Sequence, residues 1–153
     1  MIAIGSDHGG YVLKQAVLEY LDENKIAYKD FGCFDENAVD YPDIAMKVAE
    51  EVAKGNFSRG ILICGTGIGI SIAANKIPGI RAALCNDTFS AKYSRQHNDA
   101  NILTLGGRVI GPGLAVDIVD IWLREEFTGG RHKTRLDKIA QIEKHYWKCG
   151  GEK

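Results

Sequence analysis

The chain lacks an excess of either charge. Nineteen Lys and Arg face twenty Asp and Glu, for a net charge of −1. No global basic field recruits nucleic acid or an anionic membrane surface. Long apolar runs are also missing; none approaches the roughly 20 residues a membrane-spanning helix needs. The four cysteines, at 33, 64, 85 and 149, form no C-x-x-C pair and fit no metal-ligand spacing. Free thiols in a reducing cytoplasm are therefore expected, with no metal and no cofactor. Met1 runs straight into the strand-like Ile2–Ile4, so no export signal is expected. No internal repeat, low-complexity tract or linker divides the chain. One domain over residues 1–153 is expected, with a soluble composition of 45% apolar and 25% charged residues.

What is present is organised around residues 61–76, Ile-Leu-Ile-Cys-Gly-Thr-Gly-Ile-Gly-Ile-Ser-Ile-Ala-Ala-Asn-Lys. A short apolar run over 60–63 ends at Cys64. Gly65, Gly67 and Gly69 follow at alternate positions, and helix spacing then runs through Ala73 and Ala74. This is the form of a buried strand, a tight loop and a helix start. Glycines let a backbone approach a ligand closely, and loop N–H groups make an anion cradle. A thiol beside such N–H groups can serve as a base or nucleophile. A cysteine ending a core strand can equally be packing.

The remaining elements alternate. Met1–Gly5 predicts a strand, followed by the polar turn Ser6-Asp7-His8-Gly9-Gly10. Val12, Leu13, Ala16, Val17, Tyr20 and Leu21 predict one helical face. Ile26–Phe31 predicts a strand, and residues 33–42 a loop. Ile44, Ala45, Val48, Ala49, Val52 and Ala53 predict the next helix. After the central stretch come a strand over 79–84, a polar helix over 88–96 and a strand over 101–105. A nearly all-apolar helix over 113–127 is expected to be buried. The pair Gly129-Gly130 breaks it, and a last helix covers about 132–147. Strictly alternating strands and helices predict an α/β fold: a Rossmann-like three-layer sandwich with five parallel strands and right-handed crossovers. The expected order is 2-1-3-4-5. Strands 1 and 3 then meet at a switch point, where ligands bind beyond the carboxyl ends.

Several motifs can be weighed on spacing alone. The glycine loop is a poor dinucleotide fingerprint, because Ile70 stands where G-x-G-x-x-G needs its last glycine. No Gly-Lys-Ser/Thr follows, which excludes a P-loop. Asp7-His8 reads as a ligand pair or as a helix cap. His97-Asn98 precedes strand five as a candidate or as ordinary surface. Arg131 and Arg135 share a helical face and can grip a phosphate, or form a solvated basic face. Arg108 after Gly106-Gly107 is similar.

Together these pieces resemble the type B ribose-5-phosphate isomerases, whose relatives include the two-subunit galactose-6-phosphate isomerases. The matching stretches are Gly5-Ser-Asp-His-Gly9, Asp40-Tyr-Pro42, Ile61 through Lys76, Gly79-Ile-Arg81, Ser94-Arg-Gln-His-Asn-Asp99, Gly106-Gly-Arg108 and Gly129-Gly-Arg-His132. The resemblance implies interconversion of ribose 5-phosphate and ribulose 5-phosphate without metal, in a homodimer or dimer of dimers with shared active sites. It implies that Cys64 is the base that moves the proton between C2 and C1. Members without this cysteine use a glutamate further along the loop, where this chain has Ile70 or Ser71. His97 would open the furanose ring, Thr66 would help proton traffic, and Asp7 would hold the sugar hydroxyls. Tyr41 and the loop Gly65, Thr66, Gly67, Ile68 and Gly69 would contact the substrate, the amides holding the enediolate oxygen. His8, Arg131 and Arg135 would meet the phosphate, and a partner subunit would supply Arg108 and Asn98. The last helix would pack on that partner. Two other readings stay open: an isomerase of a six-carbon sugar phosphate, such as allose 6-phosphate or galactose 6-phosphate, and a non-catalytic sugar-phosphate-binding module.

Overall fold

The computed structural model describes the backbone of residues 1–149 and side chains as far as Trp147. The Cys149 thiol and the end of the Trp147–Lys153 tail lie outside that range. The chain runs β1 (Ile2–Ser6), α1 (Tyr11–Glu23), β2 (Tyr28–Asp30), α2 (Tyr41–Ala53), β3 (Arg59–Cys64), α3 (Ile68–Ala74), β4 (Ala82–Leu84), α4 (Thr88–Asn98), β5 (Ile102–Gly106), α5 (Pro112–Arg124) and α6 (Arg131–Cys149). All strand pairs are parallel, so every connection must cross a face of the sheet. Residues of α1, α4 and α5 pack on one face, and those of α2 and α3 on the other. The architecture is the expected Rossmann-like α/β/α sandwich.

The strand order is β2-β1-β3-β5-β4, not 2-1-3-4-5. The reason lies in burial. All five residues of β5 are buried, whereas β4 has three residues, all partly exposed. A parallel strand covered on both faces belongs inside the sheet, and a short, partly exposed strand suits its edge. The chain therefore passes from β3 over α3 to the edge and returns over α4 to fill the gap. The switch point between β1 and β3 survives this correction, with Ser6 opposite Ile63.

Strand β3 is the axis of the core. Ile61 and Ile63 join the α1/α5 side, while Leu62 and Cys64 join the α2/α3 side. Each large apolar side chain so buried contributes about 1.5–3 kcal/mol. The apolar face of α2 is the expected one: Ile44, Ala45, Val48, Ala49 and Val52 are buried. Two helices differ from expectation. The inner face of α1 is Leu13, Lys14, Val17 and Leu21, so Val12 points outward, 72% exposed, and a lysine points in. Helix α5 buries Ala115, Ile118, Val119 and Trp122, but Asp117 faces solvent and Leu114 is 40% exposed. It is amphipathic rather than buried all round.

The unpartnered apolar surface sits on α6 instead. Ile139, Ile142, Tyr146 and Trp147 are exposed beside a groove of about 630 Å³ that also touches Ile80 and Leu136. Among the described residues no helix is long and apolar enough to cross a membrane.

Candidate active site

Three turns meet at the carboxyl edge of the sheet, after β1, β3 and β5. Their backbones are stitched together. Asp7 N–H donates to Ile63 O (3.1 Å), Gly107 N–H to Cys64 O (2.8 Å) and Arg108 N–H to Gly65 O (3.0 Å). The glycines are needed because the turns touch. A Cβ on Gly107 would lie 2.6 Å from Gly9 O, and one on Gly10 would lie 2.5 Å from Ile63 O. Gly67 also has φ +76, which disfavours any side chain there.

Cys64 is the last residue of β3 and is 4% exposed. Its Sγ accepts the Gly67 N–H at 3.1 Å. The side chain packs against the α2/α3 core, as the packing reading expects, and its sulfur ends under the glycine loop. Ile68 N–H donates to Thr66 Oγ1 at 3.3 Å, so two of the loop amides are engaged within the loop itself. Asp7 is 7% exposed and its Oδ1 accepts the Gly10 N–H at 3.0 Å. It closes the turn ahead of α1, on the same edge as Cys64, while the helix cap itself is Gly10, which has no side-chain bond. His8 is exposed, and its Nδ1 accepts the Val39 N–H at 3.4 Å. The neutral ring then carries its hydrogen on Nε2. Tyr41 is the first residue of α2 rather than part of the preceding loop. Its ring lies over Gly69, where a Cβ would be 2.7 Å from the Tyr41 Cζ. Arg108, assigned to a partner by the resemblance, flanks Gly65 of its own chain, its Nε 3.7 Å from where a Gly65 Cβ would sit. Pairing of β5 with β3 forces the loops that follow them together.

The other candidates lie at the opposite edge. Helix α4 runs back along the sheet from Asp87, whose Oδ1 accepts the Ser90 N–H. His97 and Asn98 lie in its last turn, two residues beyond the expected end at 96. Asn101 O there accepts the N–H of Gly60, at the start of β3. The chain after α5 returns to the same place, because Thr128 donates both its N–H and its Oγ1 hydrogen to Gln96 O. Gly129 and Gly130, with φ +66 and +56, then turn into α6. Arg131 and Arg135 are exposed on its first turns. His132 stacks on His97 with ring centroids 4.1 Å apart and 7° between planes, and the Tyr93 ring lies tilted at 41° to His97, 4.6 Å away. Burial, followed by the positive charge of His97, Arg131 and Arg135, pulls the His132 pKa down.

Strand β3 spans six residues, so the two edges lie roughly 16 Å apart. One chain thus brings together Cys64, Thr66, Asp7, His8, Tyr41 and Arg108. It separately brings together His97, Asn98, Arg131 and Arg135. It does not join the two sets. Spacing alone does not single out His132, beside Arg131, or the fully buried Lys14 as site residues. Lys14 carried a weak signal, falling three and seven positions before Val17 and Leu21 on an apolar face.

A parallel α/β sandwich with a cysteine, a carboxylate, an imidazole and an arginine around a glycine loop at the switch point is an enzyme class suited to small anionic substrates. The comparisons narrow this. Residues 2–139 match the model of the ribose/galactose isomerase family, and the chain belongs to that family; it is an isomerase. It is 52% identical over 142 residues to a ribose-5-P isomerase B of Listeria innocua, covering 93% of this chain and 96% of that protein. It is 45% identical over 145 residues to a D-erythrulose-4-phosphate isomerase of Pectobacterium atrosepticum, covering 93% and 94%. The solved structure of ribose-5-phosphate isomerase B from Clostridium thermocellum superposes with a TM-score of 0.93 at 59% identity, over 95% of this chain and 98% of that one.

Proposed function

We propose that the chain interconverts ribose 5-phosphate and ribulose 5-phosphate in the cytoplasm, as a homodimer or dimer of dimers. Each active site would combine the carboxyl edge of one chain with the amino edge of another. The observation that carries the reading is the Cys64 Sγ, held under the glycine loop at the switch point with Asp7, His8, Tyr41 and Arg108 around the same turns.

The chemistry runs as follows. His97 of a second copy assists ring opening, moving a proton from the anomeric hydroxyl to the ring oxygen. Cys64, as thiolate, takes the C2 proton of the open aldose. The C–H electron pair becomes the C1–C2 double bond, and the carbonyl pair moves onto O1. The remaining amides of the Gly65–Gly69 loop stabilise that oxygen, the preorganised donors that typically contribute most to such a rate. Thr66 carries the proton between O2 and O1, Cys64 returns its proton to C1, and the ketose forms. Asp7 orients the hydroxyls and Tyr41 closes the pocket over Gly69. His8, Arg131 and Arg135 balance the phosphate dianion, with Arg108 and Asn98 beside it. The exposed apolar stripe of α6 supports a partner chain on that side.

Replacing Cys64 by Ala tests the base. Ribulose 5-phosphate formation should fall by about 10²–10⁴-fold, with KM little changed, and wild-type turnover would remove Cys64 from the mechanism. The erythrulose-phosphate relative supports a second reading in which chain length, not chemistry, differs. Comparing kcat/KM for four-, five- and six-carbon aldose phosphates decides it. Loss of deuterium from C2-labelled substrate to water separates all of these from a non-catalytic binding module.

A further inference from the structure

Lys14 lies in the first turn of α1 with its side chain 0% exposed. A buried ammonium must be fully paired, because water cannot reach it. Its Nζ donates to Asp30 Oδ1 at 2.9 Å and Oδ2 at 2.7 Å, and to the Cys33 carbonyl. The rings of Tyr11 and Phe34 flank it at 5.8 and 5.4 Å. For stability alone, apolar residues of similar volume hold two elements together as well as a buried ion pair does. The charge supplies direction instead: it draws one carbonyl and one carboxylate to a defined point.

We infer that Lys14 is a positioning residue for the phosphate end of the site, rooting residues 30–39 so that their backbone sets the His8 ring. This rests on the reading of His8 as a phosphate ligand. The links are explicit. Asp30 Oδ1 also accepts the Gly32 N–H at 2.9 Å. Ser6 N–H donates to Gly32 O, and Cys33 N–H donates to Ser6 O. The segment that Lys14 roots is thus bonded to the residue preceding Asp7-His8. Further along the same segment, Val39 N–H reaches His8 Nδ1. That contact leaves Nε2–H as the donor His8 offers to an anion. Lys14 touches no substrate; it acts through backbone.

The test compares Lys14→Met, the paired Lys14→Met/Asp30→Leu and His8→Ala. Two-bond ¹H–¹⁵N spectra of the imidazoles, with the His8 signal assigned from His8→Ala, report the tautomer. In the wild type His8 should be the Nε2–H form. In Lys14→Met it should average between tautomers, while KM for ribose 5-phosphate rises about tenfold and kcat stays within about twofold. The paired variant should regain the wild-type Tm but keep the raised KM and the averaged tautomer. A paired variant that regains Tm, KM and tautomer together would show a merely structural pair and overturn the inference. So would an unchanged His8 spectrum in folded Lys14→Met. Should Lys14→Met not fold, the paired variant alone decides on the same two readouts, and Asp30→Asn, which keeps the side-chain shape, replaces it should it fail too. If His8→Ala leaves KM at the wild-type value, the phosphate role of His8 is lost. The spectrum then still decides whether Lys14 sets its tautomer.

Discussion

The two edges of the sheet are built by different means. At the carboxyl edge the surface is backbone: three turns bonded to one another, with glycines where no side chain fits. At the amino edge it is side chains: the stacked rings of His97 and His132 with Tyr93 tilted against His97, and Arg131 and Arg135 beside them. A backbone pocket offers fixed N–H donors that cost no reorganisation as charge develops. A side-chain cluster offers reach, cations and imidazole rings that can pass protons. Under the proposed mechanism, the first would hold the enediolate and the second would serve ring opening and the phosphate. The two clusters sit at opposite ends of β3, so under the proposed function two chains placed edge to edge would make two sites.

That division can be broken directly, and the effect is large. Cys64→Ala and His97→Ala chains should each be nearly inactive alone. Co-folded in equal amounts, they should recover about a quarter of wild-type activity, since half the dimers are mixed and one of their two sites is intact. Activity that stays at the background of the single variants would place both residues in one chain's site and refute the shared arrangement.

How much of this the sequence shows depends on whether a feature is local. The turn after β3 was legible because strand, glycines and helix are contiguous, and the α2 face because its spacing is regular. Order at the β4/β5 end was not, since nothing local says that a strand later in the chain inserts before an earlier one; only burial of Ile102–Gly106 on both faces does. The α5 helix read as fully buried because Asp117 and Asp120 are few among apolar neighbours, yet Asp120 turns outward to accept from Tyr20 and pair with Arg124. Among the site residues, the types were legible and the grouping was not. Arg108 and Arg131 look alike as post-glycine arginines, and only the topology sends them to opposite edges. Lys14 was hidden because a lysine in an amphipathic helix is normally solvated; its partners Asp30 and Cys33 come from the next strand and loop.

A smaller effect separates gripping from chemistry. Arg135→Ala removes a cation from the amino edge and leaves the carboxyl edge untouched. KM for ribose 5-phosphate should rise about tenfold, with kcat little changed, as expected when binding is lost equally from ground and transition states. Equal loss in kcat and kcat/KM would instead place Arg135 in the chemistry, and no change would take it out of the phosphate site.

The smallest effect concerns pH, and it too distinguishes the edges. Burial and the neighbouring positive charges hold the His132 pKa below the ordinary 6.5. As pH falls below 6.5, the unfolded chain takes up a proton at this position before the folded chain does. Stability from this group is therefore present above pH 6.5 and is lost as pH drops through the folded value. His132→Phe keeps a ring against His97 but removes the titration, so the slope of Tm against pH below 6.5 should flatten. His8→Gln at the exposed carboxyl-edge position should leave that slope in place. A Tm slope unchanged in His132→Phe would mean that acid sensitivity enters elsewhere, and the amino edge would lose its claim to be the pH-dependent half of the molecule.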